Sequence, residues 1–141
     1  MNTPIVRTSI LIHAPVEAVW DAIVNPVIVK QYLFGTDMET SWEVGSPIFF
    51  RGVWEGKTYE DKGVIQTFVP THSLSYTYRS SMDETPDLPE NYHLVTFQVD
   101  PRDAGVELSI TQTVATEEKA EHSTKQWNTV LCEIKNILEQ K

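Results

Sequence analysis

The sequence predicts an α+β fold: a curved antiparallel sheet of six or seven strands around one long C-terminal helix, with two short helices after the first strand. Three observations lead to this prediction. Residues 116–141 lack Gly and Pro and space their apolar residues as a helix does. The preceding residues form mostly short runs of strand-forming residues between turns. The turns are short, which favours antiparallel pairing, and helix and sheet each bury an apolar face against the other.

We predict one strand and two short helices in the N-terminal part of the chain. Residues 4–13 are rich in β-branched residues, as strands are. Pro15 suits the first turn of the following helix, residues 16–24. That helix places Val16, Val19, Trp20 and Ile23 on one face, and the Asn25-Pro26 pair ends it before a second helix at 27–32.

The central part of the chain predicts the remaining strands. Residues 57–69 form either one bent strand or two strands broken near 61–63, and Gly52 marks a possible bulge. Residues 80–90 form either a loop over a cavity mouth or a solvated connection, and 100–105 form a hairpin loop. The other predicted strands are 40–44 around Trp42, 48–54, 73–79, 92–99 and 106–114.

The C-terminal segment predicts one helix over Thr116–Lys141. Thr116 is a suitable N-cap, and the carboxylates of Glu117 and Glu118 favour the positive end of the helix dipole. Such a helix is about 36 Å long, enough to cross a small domain. Its apolar stripe consists of Trp127, Val130, Leu131, Ile134, Ile137 and Leu138.

Composition restricts the class of protein. The 141 residues favour a single domain over 1–141, and the net charge of −9 argues against nucleic-acid and anionic-membrane partners. No stretch has the pattern of a signal peptide or the length of a membrane span, so we expect a cytoplasmic protein. Cys132 is the only cysteine and is interpreted as a small structural residue.

The sequence contains no pattern that indicates a metal, a cofactor or a covalent catalyst. The four histidines are far apart, and no phosphate loop, dinucleotide fingerprint or nucleophile elbow occurs. We therefore predict no metal, no cofactor and no catalytic residue. Acid–base chemistry stays open in principle, with Glu60, Asp61, Tyr78 and His93 as the groups that could take part.

Four stretches resemble one family. They are IHAPVEAVWDAIVNP at 12–26, WEVGSPIFF at 42–50, GVIQTFVPTHSLSYTY at 63–78 and the final helix with Trp127 and Leu131. Together they resemble the START-like superfamily, also called SRPBCC or birch-pollen-allergen-like, and more narrowly the homologues of the activator of the heat-shock-protein-90 ATPase. The chain departs from the family pattern at Tyr32, where many relatives have Trp, and at residues 111–113, where relatives often have His.

The resemblance implies the helix-grip fold, with a hydrophobic cavity between the sheet and the Trp127 end of the long helix. It implies binding of a small hydrophobic ligand such as a lipid, a polyketide or a flavonoid-like aromatic. The alternatives are a chaperone-associated interaction module and a polyketide cyclase-like enzyme. Arg51 and Arg79 are expected at the surface. The residues expected to line the cavity are Trp42, Phe50, Tyr76, Tyr78, Phe97, Ile110, Gln112, Trp127, Leu131 and Ile134.

Overall fold

Seven antiparallel strands form a curved sheet around a long C-terminal helix, as the sequence predicts. The computed structural model describes residues 4–33, 35–81 and 85–139. The strands lie in the order β1-β7-β6-β5-β4-β3-β2. The elements are β1 (Ile5–Ile12), α1 (Val16–Val24), α2 (Pro26–Tyr32), β2 (Asp37–Thr40), β3 (Pro47–Trp54), β4 (Lys57–Val69), β5 (Ser73–Tyr78), a 3₁₀ turn (Pro89–Asn91), β6 (His93–Arg102), β7 (Gly105–Thr113) and α3 (Glu117–Glu139).

The two short helices meet at Asn25, as predicted. Pro26 begins α2, and the Asn25 side chain accepts a hydrogen bond from the Val27 N–H at 3.0 Å. The hydroxyl of Tyr32 donates to the carbonyl of Ala22 at 2.8 Å. This bond connects the two helices inside the core, where burial raises the pKa of Tyr32 far above its ordinary value.

Three details of the predicted strands were wrong. The strand expected at 40–44 is β2, which ends at Thr40, because Trp42 has a φ of 61° and turns the chain. Gly52 pairs regularly with Tyr59, and the irregularity of β4 lies between Ile65 and Thr67. The loop expected at 100–105 is mostly strand, since the pairing of β6 and β7 continues to Arg102 and Gly105.

The predicted helix is confirmed as α3, and Thr116 caps it. The Lys119 N–H donates to the Thr116 hydroxyl at 3.1 Å. Val130, Leu131 and Ile134 are buried in the core, and Ile137 and Leu138 pack partly buried against it. Residues 140–141 of the predicted helix lie outside the described residues. Cys132, interpreted from the sequence as a small structural residue, is exposed on α3.

Polar bonds also fasten the C-terminal end of α3 to the first strand. The Lys135 ammonium donates to the Leu11 carbonyl at 2.7 Å, and the backbone N–H of His13 donates to Glu139 at 2.8 Å. Lys135 and Glu139 also form an ion pair at 2.7 Å. These contacts fix the position of α3 along the sheet.

Gly63 allows β4 and β5 to approach each other closely. Lys62 and Arg79 exchange backbone hydrogen bonds of 3.1 and 2.9 Å, and a Cβ at position 63 would overlap the carbonyl oxygen of Thr77.

We expect Gly63→Ala to lower the free energy of unfolding by at least about 2 kcal/mol, because the strands must separate. Urea denaturation measures the loss. Gln66→Ala, at an exposed position of the same strand, should change stability by less than about 0.5 kcal/mol; equal effects of the two substitutions would contradict this role for Gly63.

Glu139 should make part of the stability depend on pH. The His13 N–H and the Lys135 ammonium lower the pKa of Glu139 below its ordinary value. Because the pKa is lower in the folded state, this stabilisation is present above the unfolded-state pKa of about 4.3 and is lost as the pH falls through the folded-state value.

We therefore expect Glu139→Gln to destabilise the protein more at pH 7 than at pH 3, as measured by urea denaturation at both values. Glu133→Gln removes a carboxylate of the same helix and controls for net charge. An equal effect of Glu139→Gln at both pH values would show that the carboxylate does not fasten α3.

Candidate functional site

Aromatic rings fill the interior between the sheet and α3. Tyr78 packs edge-on against Phe50 at 5.8 Å between ring centroids, and Phe50 packs against Tyr76 at 5.6 Å. Tyr76 stacks on Phe97 at 6.3 Å, and Phe97 meets Trp127 of α3 at 5.8 Å and 89°. These five rings form one continuous chain, the aromatic row, from β5 to the helix. They occupy the interior volume in which the cavity was expected.

Trp127 ends the aromatic row on the helix side. Its edge-to-face contact with Phe97 is a favourable ring geometry. Its indole N–H donates to the side-chain oxygen of Gln112 on β7 at 2.6 Å. Trp127 is therefore held at two points. Phe97 of β6 contacts its ring, and Gln112, near the end of β7, binds its indole N–H.

An open pocket of about 400 Å³ lies beyond Trp127, towards the N-terminal end of α3. This volume lies within the range of about 300–1,000 Å³ that is usual for small-molecule sites. The ends of β5, β6 and β7 form one wall and the first two turns of α3 form the other. The lining residues are Tyr78, Ser80, His93, Gln112, Val114, Ala115, Lys119, His122 and Ser123.

The pocket exists because the inward face of α3 carries small residues before Trp127. The three-and-four spacing that includes Trp127 continues backwards to Ser123 and Ala120. Ser123 lines the pocket, as does Ala115, which precedes the helix. Side chains this short cannot reach the sheet across a distance that the Trp127 ring spans. The volume next to them therefore stays open.

Tyr78 forms part of the floor and is bound to a carboxylate behind it. Its hydroxyl donates to Asp61 at 2.5 Å, and the other oxygen of Asp61 accepts the Ser81 N–H at 2.8 Å. Burial, with the nearby Asp61 charge, raises the pKa of Tyr78 far above its ordinary value. The phenol therefore stays protonated at neutral pH and its proton is directed to Asp61.

The remaining polar groups of the pocket come from two sides. His93 lies at the start of β6, directly opposite Tyr78 in the strand ladder. It shares its face with Val95 and Phe97, which are buried. Lys119 and His122 lie three residues apart on α3, so they occupy neighbouring positions on one side of the helix.

The structure brings only some of the predicted cavity residues to the pocket. Tyr78 and Gln112 line it, and Trp127 is hydrogen-bonded to the lining residue Gln112. Phe50, Tyr76, Phe97, Ile110, Leu131 and Ile134 lie in the core, each at most 6 % exposed. Trp42 belongs to a second ring cluster, stacked on Phe68, which also contacts Trp20. A role in ligand contact stays a prediction for all ten residues.

Arg51 and Arg79, both expected at the surface, are each half-buried. Arg51 pairs with Glu39 and Glu60. The guanidinium of Arg79 donates to the Thr85 carbonyl. This bond and the ion pair of Lys62 with Asp87 hold the described part of the 80–90 loop against β4 and β5. Of that part, Ser80 alone lines the pocket.

Sequence reasoning missed most of the pocket wall. It named His93 only as a group for acid–base chemistry, and it did not single out Ser80, Val114, Ala115, Lys119, His122 or Ser123. The small residues Ser123 and Ala120, one and two turns before Trp127, were the feature that could have indicated an opening next to this part of the helix.

Two further properties bear on the kind of site. Among the described residues, no three His, Cys, Asp or Glu side chains come together as metal ligands do. No helix in the described ranges is long and apolar enough to cross a membrane.

Comparisons with known proteins agree on the family and the fold. A family model described as Activator of Hsp90 ATPase homolog 1-like protein matches residues 13–139. The solution structure of ChR145 from Cytophaga hutchinsonii is 44% identical, with a TM-score of 0.86 over 99% of this chain and 97% of that chain. A search of curated proteins found no match.

More distant structures share the fold. The Aha1 dimer from Colwellia psychrerythraea is 17% identical, with a TM-score of 0.74 over 96% of each chain. CalU16 from Micromonospora echinospora is 16% identical, with a TM-score of 0.70 over 96% of this chain and 74% of that chain. At these identities the likeness concerns the fold alone.

Trp127 should contribute strongly to stability. We expect Trp127→Ala to cost about 3 kcal/mol of unfolding free energy, because the Phe97 contact and the bond to Gln112 are both lost. Trp127→Phe keeps an aromatic ring and should cost about 1 kcal/mol, the usual net value of one hydrogen bond. Urea denaturation of both variants measures the difference. If alanine costs no more than phenylalanine, the ring does not pack between sheet and helix as described.

Proposed function

From the premise that the chain belongs to the Activator of Hsp90 ATPase homolog 1-like family, we propose that it binds a small hydrophobic molecule in the pocket between the strand ends and the first turns of α3. The molecule would be of the size of a lipid chain, a polyketide or a flavonoid-like aromatic. The observation that carries the proposal is the open volume of about 400 Å³ on the N-terminal side of Trp127.

The walls of the pocket suit an apolar ligand. Val114 and Ala115 contribute only carbon side chains, and Tyr78 contributes a ring whose hydroxyl is already bound to Asp61. Rings of this kind offer a large apolar contact with a polar tip. A ligand that fills the pocket would remove apolar surface from water at about 25 cal/mol per Å².

Rigid surroundings should favour this binding. The pocket floor is formed by the ends of β5, β6 and β7, which are neighbouring antiparallel strands of one sheet. Gln112 is held by its bond to Trp127. A pocket formed in advance costs little ordering free energy when the ligand enters.

Binding is supported better than acid–base catalysis. The Tyr78 phenol, whose pKa is raised by burial, stays protonated and cannot act as a base at neutral pH. Asp61 already accepts hydrogen bonds at both oxygens, from Tyr78 and from the Ser81 N–H. Among the residues weighed for catalysis, this leaves His93 as the remaining group that lines the pocket.

A chaperone-associated role is the second candidate, and the family description supports it. The direct test is the ATPase rate of an Hsp90-type chaperone from the same organism with increasing amounts of this protein. A saturable change in rate supports the role. An unchanged rate together with no detectable complex rules it out.

Ser123→Phe should block the pocket, because it places a ring in the open volume one turn before Trp127. We expect the neutral dye N-phenyl-1-naphthylamine to bind the wild-type protein and to lose at least about tenfold in affinity with this variant. Fluorescence titration measures both constants.

Asn128→Phe is the matched control, since position 128 is exposed on the same helix and does not line the pocket. It should bind the dye as the wild type does. Equal binding by the Ser123 and Asn128 variants would place the dye elsewhere and contradict the proposed site.

A further inference from the structure

The pocket lining has an unusual charge for this protein. The whole chain carries a net charge of −9. Yet, among the residues that the structure describes, those that line the pocket include Lys119, His93 and His122 and no Asp or Glu. Three groups able to carry positive charge thus converge on one opening of an acidic molecule.

These groups face the pocket from both walls. Lys119 and His122 come from the first two turns of α3, and His93 comes from the start of β6. The N-terminal end of the helix adds its own positive potential on the same side. An anionic group in the opening would therefore have donors on two sides, and hydrogen bonds to an ionised group are stronger than neutral ones.

The neighbouring carboxylates of the described ranges lie outside the pocket lining. Asp61 lies behind Tyr78, and its two oxygens accept the Tyr78 hydroxyl and the Ser81 N–H. Glu118 and Glu121 are exposed on α3 and do not line the pocket. The pocket therefore combines an apolar floor with a basic rim.

We infer that the ligand of this pocket is an apolar molecule with one anionic group, a carboxylate or a phosphate, which lies between His93 on one side and Lys119 and His122 on the other. This inference rests on the proposed function, and it adds the chemical class of the ligand. Because of these basic groups, a neutral hydrophobic molecule of the same shape should bind more weakly than its anionic counterpart.

Two dyes with one skeleton test the inference. 8-Anilinonaphthalene-1-sulfonate carries an anionic group that N-phenyl-1-naphthylamine lacks. The double variant Lys119→Gln, His122→Gln should weaken binding of the sulfonate dye by about tenfold, the loss expected for charge-assisted bonds. It should leave the neutral dye within about twofold. Lys125→Gln removes the same charge from an exposed position of α3 outside the pocket and should change neither constant.

The natural head group is distinguished by displacement of the sulfonate dye from the wild-type protein with decanoate, decyl phosphate and decanol. The anion that displaces the dye at the lower concentration identifies the head group, and decanol should displace the dye least. The inference is overturned if decanol competes as well as the anions, or if the double variant weakens both dyes equally or neither dye. If the wild-type protein binds neither dye, the proposed function fails, and this inference fails with it.

Discussion

The contact of Trp127 with the sheet is the interaction on which the site depends. Its ring packs edge-on against Phe97, and its indole N–H is bound to Gln112. On the C-terminal side of this contact, Leu131 and Ile134 are buried completely or nearly so. On the N-terminal side, Ser123 faces an open pocket. One side chain thus divides the space between helix and sheet into a filled core and an accessible site.

This division explains how one helix can serve stability and binding together. The apolar residues of its second half bury against the core, and polar bonds from Lys135 and Glu139 fix its end to β1. Its first half buries little apolar surface, and the Thr116 hydroxyl caps its N-terminus. The α3 residues that line the pocket can therefore vary without large changes in the packing that holds the fold.

Much of the fold could be predicted from local patterns. The apolar spacing of α3 and the Asn25-Pro26 break depend on neighbouring residues, and the structure confirms both. The strand expected at Trp42 could not be placed correctly, because that residue takes a left-handed backbone conformation and packs on Phe68, which is distant in sequence. Contacts of this kind leave no periodic pattern.

The candidate site was harder to predict than the fold for a physical reason. A cavity is the volume that side chains fail to fill, so its position depends on how far each ring reaches. The family resemblance implied a lined cavity, but Phe50, Tyr76 and Phe97 pack on one another. The opening instead adjoins the small Ser123 side chain. The sequence shows that this side chain is short, but it does not show which strand residues lie opposite it.

Amide shift mapping with N-phenyl-1-naphthylamine tests most directly whether Trp127 separates site from core. The account predicts the largest changes in backbone amide shifts at His93 and at residues 114–123, with small changes at Leu131 and Ile134. The largest changes at Leu131 and Ile134 would contradict it, because the dye would then lie inside the space that the aromatic row fills.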